Sequence, residues 1–495
     1  MRISIVSRRV LAASAALCLA SMAPVAQAAS TTFINPVGPS TTSSADPFVM
    51  RHTDGNYYYV FTSWDKLEIT KASSLSGIGT GKRVTVWTPP TTPCYGSNCN
   101  TQWIWAPELD HIGGKWYLYF SAGDSNHANH RIWVMSNASA DPTTGTWSAP
   151  VKVADANDTW AIDQTVANIN GQLYMAWSGM AGANDTFPQV IRIARMSSPT
   201  TLAGNGVEIS RATYAWETVG GAVNEGPQFL VHGNKVLLSF SASFCGTDDY
   251  KLGNLSATLG ADLTVPGNWT KNPTPILQKG PGAYGPGHNS FVKSPDGTED
   301  WVVYHANPAP GQGCAQQRTT RIQKITWNGD TPVIGTATAP GVPVTRPGGE
   351  GNGTILYRLR NEASRKVMSI DRAANPANGA AIWQWTNFNN ADQLWSLDPV
   401  GGGYVQLTSS FNGNVADVYN FSTAAGAPVK SYPSIGTSNQ HWQLLPTTSQ
   451  YVSLKNRNSG LMLDNKNGST ADGGLIQQWT GNDQAPQHWL LERVN

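Results

Sequence analysis

Three carboxylates occupy matching points of an internal repeat, and two of them would suffice for acid–base hydrolysis. Asp46 lies nine residues before Gly55, Asp163 eight before Gly171 and Glu225 eight before Gly233. His288, nine before Gly297, holds the corresponding place ahead of a further copy. Cleaving a glycosidic bond needs a protonated carboxylic acid to donate to the leaving oxygen. It also needs an ionised carboxylate to activate water or attack the sugar. A third carboxylate nearby raises the pKa of the acid and keeps it protonated near neutrality. Taken singly, Asp46-Pro47 reads equally as a turn, Asp163 as an Asx-turn and Glu225-Gly226-Pro227 as a loop bend. The shared register sets the three apart, because clustered like charge is costly unless it serves a function.

The elements that must position these residues are strands. Each copy has a turn Gly, then an apolar, β-rich run ending in a small or polar residue. The runs are Tyr57 to Ser63, Trp116 to Ser121, Leu173 to Ser178, Lys235 to Ser241 and Asp300 to His305. Their glycines, Gly55, Gly114, Gly171, Gly233 and Gly297, are 59, 57, 62 and 64 residues apart. That length fits a four-stranded blade, and five blades closed in a ring make a five-bladed β-propeller. A two-sheet sandwich would not explain five near-equal copies. If the strand before each turn is innermost, carboxylates distant in sequence meet at the central axis.

A second, tighter repeat fills the C-terminus. Tyr357, Tyr404 and Tyr451 are 47 residues apart, as are Trp395, Trp442 and Trp489, each ending a Gln-x-Trp triplet. Between the two repeats, residues 346–353 are rich in Pro and Gly and read as a linker. The expected architecture is therefore all-β, with a propeller over 29–345 and a β-trefoil over 354–495.

The chain has 495 residues, a net charge of +1, 13% charged residues, 49 Gly and 19 Trp. It carries no electrostatic footprint for nucleic acid or an acidic membrane surface. Abundant aromatics suit either sugar stacking or a β-sheet core. Residues 1–28, with Arg2, Arg8 and Arg9, an apolar Ala-rich stretch and Ala26-Gln27-Ala28, read as an export signal. Ser7-Arg8-Arg9-Val10-Leu11 is similar to a twin-arginine signal. Of the remaining cysteines, Cys94 and Cys99 would close a small loop, which leaves Cys245 with Cys314 by elimination. The chain is expected to be secreted and monomeric.

Several stretches together resemble the signatures of glycoside hydrolase family 43. They are Ala45-Asp46-Pro47-Phe48, Trp105-Ala106-Pro107-Glu108, Ala161-Ile162-Asp163-Gln164 and Asn224-Glu225-Gly226-Pro227. Gly285 to Phe291 and Arg318 to Gln323 fit the same pattern. The resemblance implies an inverting mechanism, with Asp46 as general base, Glu225 as general acid and Asp163 tuning and orienting that acid. It implies sugar contacts from Arg318 and Arg321, with a surface Arg as the alternative for Arg321. It also implies stacking by Trp105 and a place for His288 near a central calcium or sodium ion, with no cofactor required. The stretch Ala222 to Tyr250 is most similar to the exo-acting α-1,5-L-arabinofuranosidase branch. β-Xylosidase and endo-arabinanase remain alternatives, as does a carbohydrate-binding protein without catalysis. Arabinan and arabinoxylan of plant cell walls are the implied partners.

The three Gln-x-Trp triplets resemble the ricin-type β-trefoil lectins of carbohydrate-binding module family 13. In that family an Asp, an aromatic platform and an amide bind sugar. Asp371, Asp417 and Asp464 match the Asp, and Trp385, Tyr432 and Trp479 match the platform. The amide is kept only as Asn439, being Asp392 in the first repeat and Pro486 in the third. A purely structural trefoil is the alternative.

Overall fold

The computed structural model describes residues 30–39, 42–92, 94–182, 187–351, 353–373, 378–447 and 450–495. The expected export signal lies outside these residues. Among them, helical structure is confined to three-residue 3₁₀ turns, and the rest of the regular structure is strand.

The N-terminal part is a five-bladed β-propeller. Its blades begin with Ala45–Arg51, Gln102–Ile112, Ala161–Ile169, Asn224–His232 and Tyr284–Lys293. Each of these strands packs against the first strands of the blades on either side, and the fifth packs against the first, so they form the inner ring. Each pairs antiparallel with the apolar run that follows its turn. Two of those second strands, Tyr57–Thr62 and Asp300–Asn307, are buried along their whole length, and the others are buried except near their first residues. Blades stack on both faces of such a strand, so it reads as continuous rather than alternating apolar sequence. Among the described residues the first two blades have four strands, the third five, the fourth six and the fifth three. Thr32–Ile34 pairs with Pro343–Thr345 and fastens the two ends of this part together.

The C-terminal part is a β-trefoil of twelve paired strands running from Tyr357–Asn361 to Trp489–Arg493. Its three repeats place Trp395, Trp442 and Trp489 fully buried. Each indole N–H donates to a backbone carbonyl, of Met368, Ala416 and Leu463 respectively, at 3.0–3.1 Å. A buried indole needs such a partner, and the threefold repetition satisfies all three alike.

The two parts share one apolar cluster, in which Phe33, Val37 and Trp301 adjoin Ile355, Tyr357 and Trp395. The Pro/Gly-rich segment between them is fastened down. Glu350 accepts hydrogen bonds from the Ser76 amide (2.7 Å) and hydroxyl (2.6 Å), and pairs with Arg346. The Gly348 amide donates to Glu299 at 2.9 Å. From the far end of the trefoil, Arg493 donates to Ser76 as well.

Candidate active site

Every inner strand carries a β-bulge at the same level. Pairing with the second strand skips between Ala45 and Phe48, Trp105 and Glu108, Ile162 and Thr165, Glu225 and Gln228, and Gly287 and Ser290. The residue just after the first of each pair has positive φ: Asp46 (53°), Ala106 (44°), Asp163 (56°), Gly226 (53°) and His288 (45°). A bulge re-aims the side chains beside it, and left-handed backbone is a strain accepted at functional sites. Asp46, Asp163 and His288 are thus equivalent, as their spacing predicts. Glu225 is not their equivalent. It stands one residue earlier, level with Ala45, Trp105, Ile162 and Gly287, and Gly226 fills the bulge position in its blade.

The bulges are interlocked around the ring. At four of the five junctions, a polar residue near the end of one blade's second strand accepts a hydrogen bond from the next blade's bulge amide. Thr62 accepts from Ala106 (2.8 Å), Ser121 from Asp163 (3.0 Å), Ser241 from His288 (2.7 Å) and His305 from Asp46 (3.1 Å). The exception lies between the third and fourth blades. There the Gly226 amide donates to the Asp163 carboxylate at 3.2 Å, while Ser178 donates to the Asn224 carbonyl. Asp163 therefore holds the peptide next to Glu225 in place.

The carboxylates differ in their surroundings. Asp46 is buried, which alone would raise its pKa, yet its pKa is held well below the usual range. The opposing influences are Arg318, at 3.1 Å, then His288 and His305. Thr62 also donates to its Oδ2 at 2.6 Å. Burial pushes Glu225 up to about 7, with the charge of Asp46 adding to the rise. Tyr250 donates to its Oε1 at 2.9 Å and Gln189 to its Oε2 at 3.2 Å, both opposing the rise. Asp163 is pushed well above the carboxylate range by burial and by the charges of Glu225 and Asp46. The site thus holds one ionised carboxylate beside two that favour the proton.

These groups line one cavity of ≈ 500 Å³ whose walls are Trp64, Trp105, His127, Trp160, Ile162, Met180, Phe187 and Phe244. Tyr250, His288, Arg318 and the Cys245–Cys314 disulfide complete the lining. Trp105 stacks on His130 at 4.3 Å between ring centres and stands edge-on to Trp64. Asp46, Asp163, Glu225, Trp105, His288 and Arg318 are all brought together, as the sequence suggests. Arg321 is not. It is fully buried outside the cavity and donates to Thr338 and Thr319. Side chains alternate along an extended strand, so Arg318 and Arg321, three residues apart, face opposite ways. The surface alternative fails too.

Sequence reasoning missed His305, Tyr250, Gln189 and Thr62. The polar ends of the second strands, Thr62 and His305 among them, were its one available signal. Among the described residues no three His, Cys, Asp or Glu side chains converge as ligands. His288 Nδ1 faces Asp46 at 3.4 Å and Asp163 at 3.9 Å instead.

Residues 33–332 match the model of glycosyl hydrolases family 43. The chain belongs to this family. Residues 345–432 and 438–495 match the ricin-type β-trefoil lectin domain-like model. This family 43 glycoside hydrolase is 39% identical over 348 residues to an extracellular exo-α-(1→5)-L-arabinofuranosidase of Streptomyces avermitilis, covering 67% of this chain and 70% of the relative. It is 37% identical over 310 residues to a protein of the same name from Streptomyces chartreusis, covering 61% of this chain and 91% of the relative. The crystal structure of an α-L-arabinofuranosidase from Lactobacillus brevis aligns with a TM-score of 0.57 at 32% identity, covering 62% of this chain and 98% of that one.

The lectin domain's three expected sites differ in detail. Asp371 borders an open cavity of ≈ 340 Å³ with Trp383, Trp385, Phe388 and Asp392, and its Oδ1 accepts from the Ala373 amide. Asp417 is buried and accepts from Asn439 (2.9 Å) and Gln440 (2.8 Å). Asp464, also buried, accepts from Gln477 (2.8 Å) and Gln487 (3.3 Å). The third repeat thus replaces the missing Asn with Gln477. Of the platforms, Trp479 is 42% exposed, while Trp385 and Tyr432 are half-buried.

Proposed function

We propose that this family 43 enzyme is a secreted, inverting, exo-acting α-L-arabinofuranosidase that releases L-arabinose from α-1,5-linked arabinan or arabino-oligosaccharides. The observation that carries the chemistry is the division of protonation between Asp46 and Glu225 in one cavity. Asp46, held ionised by Arg318, takes a proton from water as that water attacks the anomeric carbon. Glu225, carrying its proton up to about pH 7, gives it to the departing oxygen. Asp163 fixes the peptide after Glu225, and the negative charge of Asp46 adds to the burial that keeps the acid protonated. An inverting pair is expected to stand roughly 6.5–9.5 Å apart, leaving room for the water. Arg318 has a second task, since its side chain lines the cavity. It would meet a sugar hydroxyl. No step passes through an ion.

The substrate and linkage rest on the names of the Streptomyces relatives and on a cavity of the size that takes a small ligand. Export is supported by the signal-like residues 1–28 and by two disulfides, Cys94–Cys99 and Cys245–Cys314. The trefoil would hold cell-wall arabinan or arabinoxylan and raise the local concentration of chain ends.

The test is incubation with linear α-1,5-arabino-oligosaccharides and, separately, with xylo-oligosaccharides, following product size and anomeric configuration. Stepwise arabinose, first seen as the β-anomer, is the expected result. Xylose release would move the substrate, mid-sized arabinan fragments would mean endo action, and α-arabinose would overturn inversion. No hydrolysis would overturn the enzyme assignment.

A further inference from the structure

Two large aromatic side chains stand open at the cavity although burial would be their ordinary fate. Phe187 is 48% and Phe244 is 40% exposed, and their rings meet edge to face at 6.1 Å between centres. Both line the cavity that holds the carboxylates. An exposed aromatic pair beside a catalytic site is a stacking surface awaiting a partner.

The local backbone is built to seat them. The turn 218–222, immediately before the Asn224–His232 strand, contains Gly220 and Gly221. A methyl group added at Gly221 would lie 3.0 Å from Cζ of Phe187, and one at Gly220 would lie 3.3 Å from Cβ of Phe244. The Phe244 amide donates to the Val219 carbonyl at 3.0 Å, and the Gln189 amide to the Ala222 carbonyl at 3.1 Å. One glycine turn thus carries both rings, and the disulfide from Cys245 to Cys314 secures the Phe244 side.

Position relative to the general acid identifies the occupant. Gln189, two residues after Phe187, donates to Glu225 Oε2, and Tyr250, six residues after Phe244, donates to Oε1. The two segments that orient the acid are the two that present the rings. A general acid must touch the oxygen of the leaving group, so the sugar carrying that oxygen departs on this side.

We propose that Phe187 and Phe244 form the platform for the leaving-group sugar, the first unit beyond the scissile bond. This rests on the arabinofuranosidase reading. Each ring offers an apolar face to the C–H face of a sugar, and the angle between them admits one unit and turns the following chain outward. The rings act on specificity and take no part in proton transfer.

The experiment compares Phe244→Ala and Phe187→Ala with wild type on two substrates, arabinobiose and methyl α-L-arabinofuranoside. The disaccharide has a sugar for the platform, and the methyl glycoside has none. The ratio of kcat/KM between them should fall by about tenfold in either variant, the size expected for losing one stacking contact. Phe244→Leu, which keeps apolar bulk without a flat face, should lose about as much, and Phe244→Tyr should keep most of the ratio. Equal loss on both substrates, or no change in the ratio, overturns the proposal. Full retention by Phe244→Leu overturns stacking as its basis. If wild type instead cleaves xylobiose, the substrate assignment fails visibly before any variant is made. The same comparison on xylobiose and methyl β-D-xyloside then decides the platform.

Discussion

The propeller and the trefoil are both closed rings of repeats, and they differ in where they break their symmetry. The trefoil keeps its core alike in all three repeats, with each buried Trp bonded to an equivalent carbonyl. Its differences lie at the outer sites around Asp371, Asp417 and Asp464. The propeller does the reverse. Its outer strands vary in number, while four of its five inner junctions share one hydrogen bond, and the fifth is given over to Asp163 and Gly226. On the proposed reading, chemistry belongs where the inner pattern fails and sugar binding where the outer pattern drifts.

The largest effect should come from neutralising the propeller's acid or its base. Glu225→Gln or Asp46→Asn should lower kcat by about 10²–10⁴-fold, the share that acid–base catalysis supplies. Retention on insoluble polysaccharide should stay unchanged, because the trefoil is untouched. Loss of both together would mean that the two rings are not separate in function.

Next in size is a comparison of two junctions. Ser121→Ala leaves the Asp163 amide without its acceptor and Gln164 without a donor, which should cost about 1–3 kcal/mol in chemical denaturation. It should also lower kcat, since Asp163 would shift. Ser178→Ala removes only a donor to the Asn224 carbonyl and a long contact from Gln189, and should cost less than Ser121→Ala. Equal costs would show that the exceptional junction is structurally like the rest.

A smaller effect concerns pH. Activity should fall as pH rises past about 7, where Glu225 loses its proton. The Tyr250 hydroxyl stabilises the ionised form, so Tyr250→Phe should move this alkaline limb upward by about one pH unit. A downward shift in the kcat/KM profile would contradict that hydrogen bond. Smallest of all, Trp385→Ala or Trp479→Ala should weaken retention on insoluble polymer by a few-fold, since the other repeats continue to bind. Neither should alter kcat on a soluble disaccharide.

Much of this was legible in sequence because repeats announce themselves. Buried second strands read as apolar runs after Gly, and the Trp spacing marks the trefoil. Asp46, Asp163 and His288 followed from counting back to those glycines. The same counting misplaced Glu225 by one residue, because Gly233 opens the hairpin loop between His232 and Lys235, whereas Gly171 closes the one between Ile169 and Gln172. His305 and Thr62 were visible only as polar ends of apolar runs, with nothing to say that each reaches the next blade. Tyr250 and Gln189 act across strands, a relation that no local spacing records. Arg321 shared a motif with Arg318, but strand alternation sends it into the interior. Pro and Gly between the repeats marked a linker, but nothing in them showed that Glu350, Arg346 and Gly348 hydrogen-bond to the propeller.

That fastened connection decides how a surface would be worked. A slack tether lets an enzyme sweep a circle around its anchor and visit many chain ends before letting go. Here the anchor and the cutting edge are parts of one tool, with Phe33, Trp301, Ile355 and Tyr357 in its shaft. Each landing exposes a fixed footprint. On the proposed reading, once the ends within that footprint were trimmed, progress would wait on the trefoil letting go, so a tighter grip on polymer would slow the digestion of a solid wall.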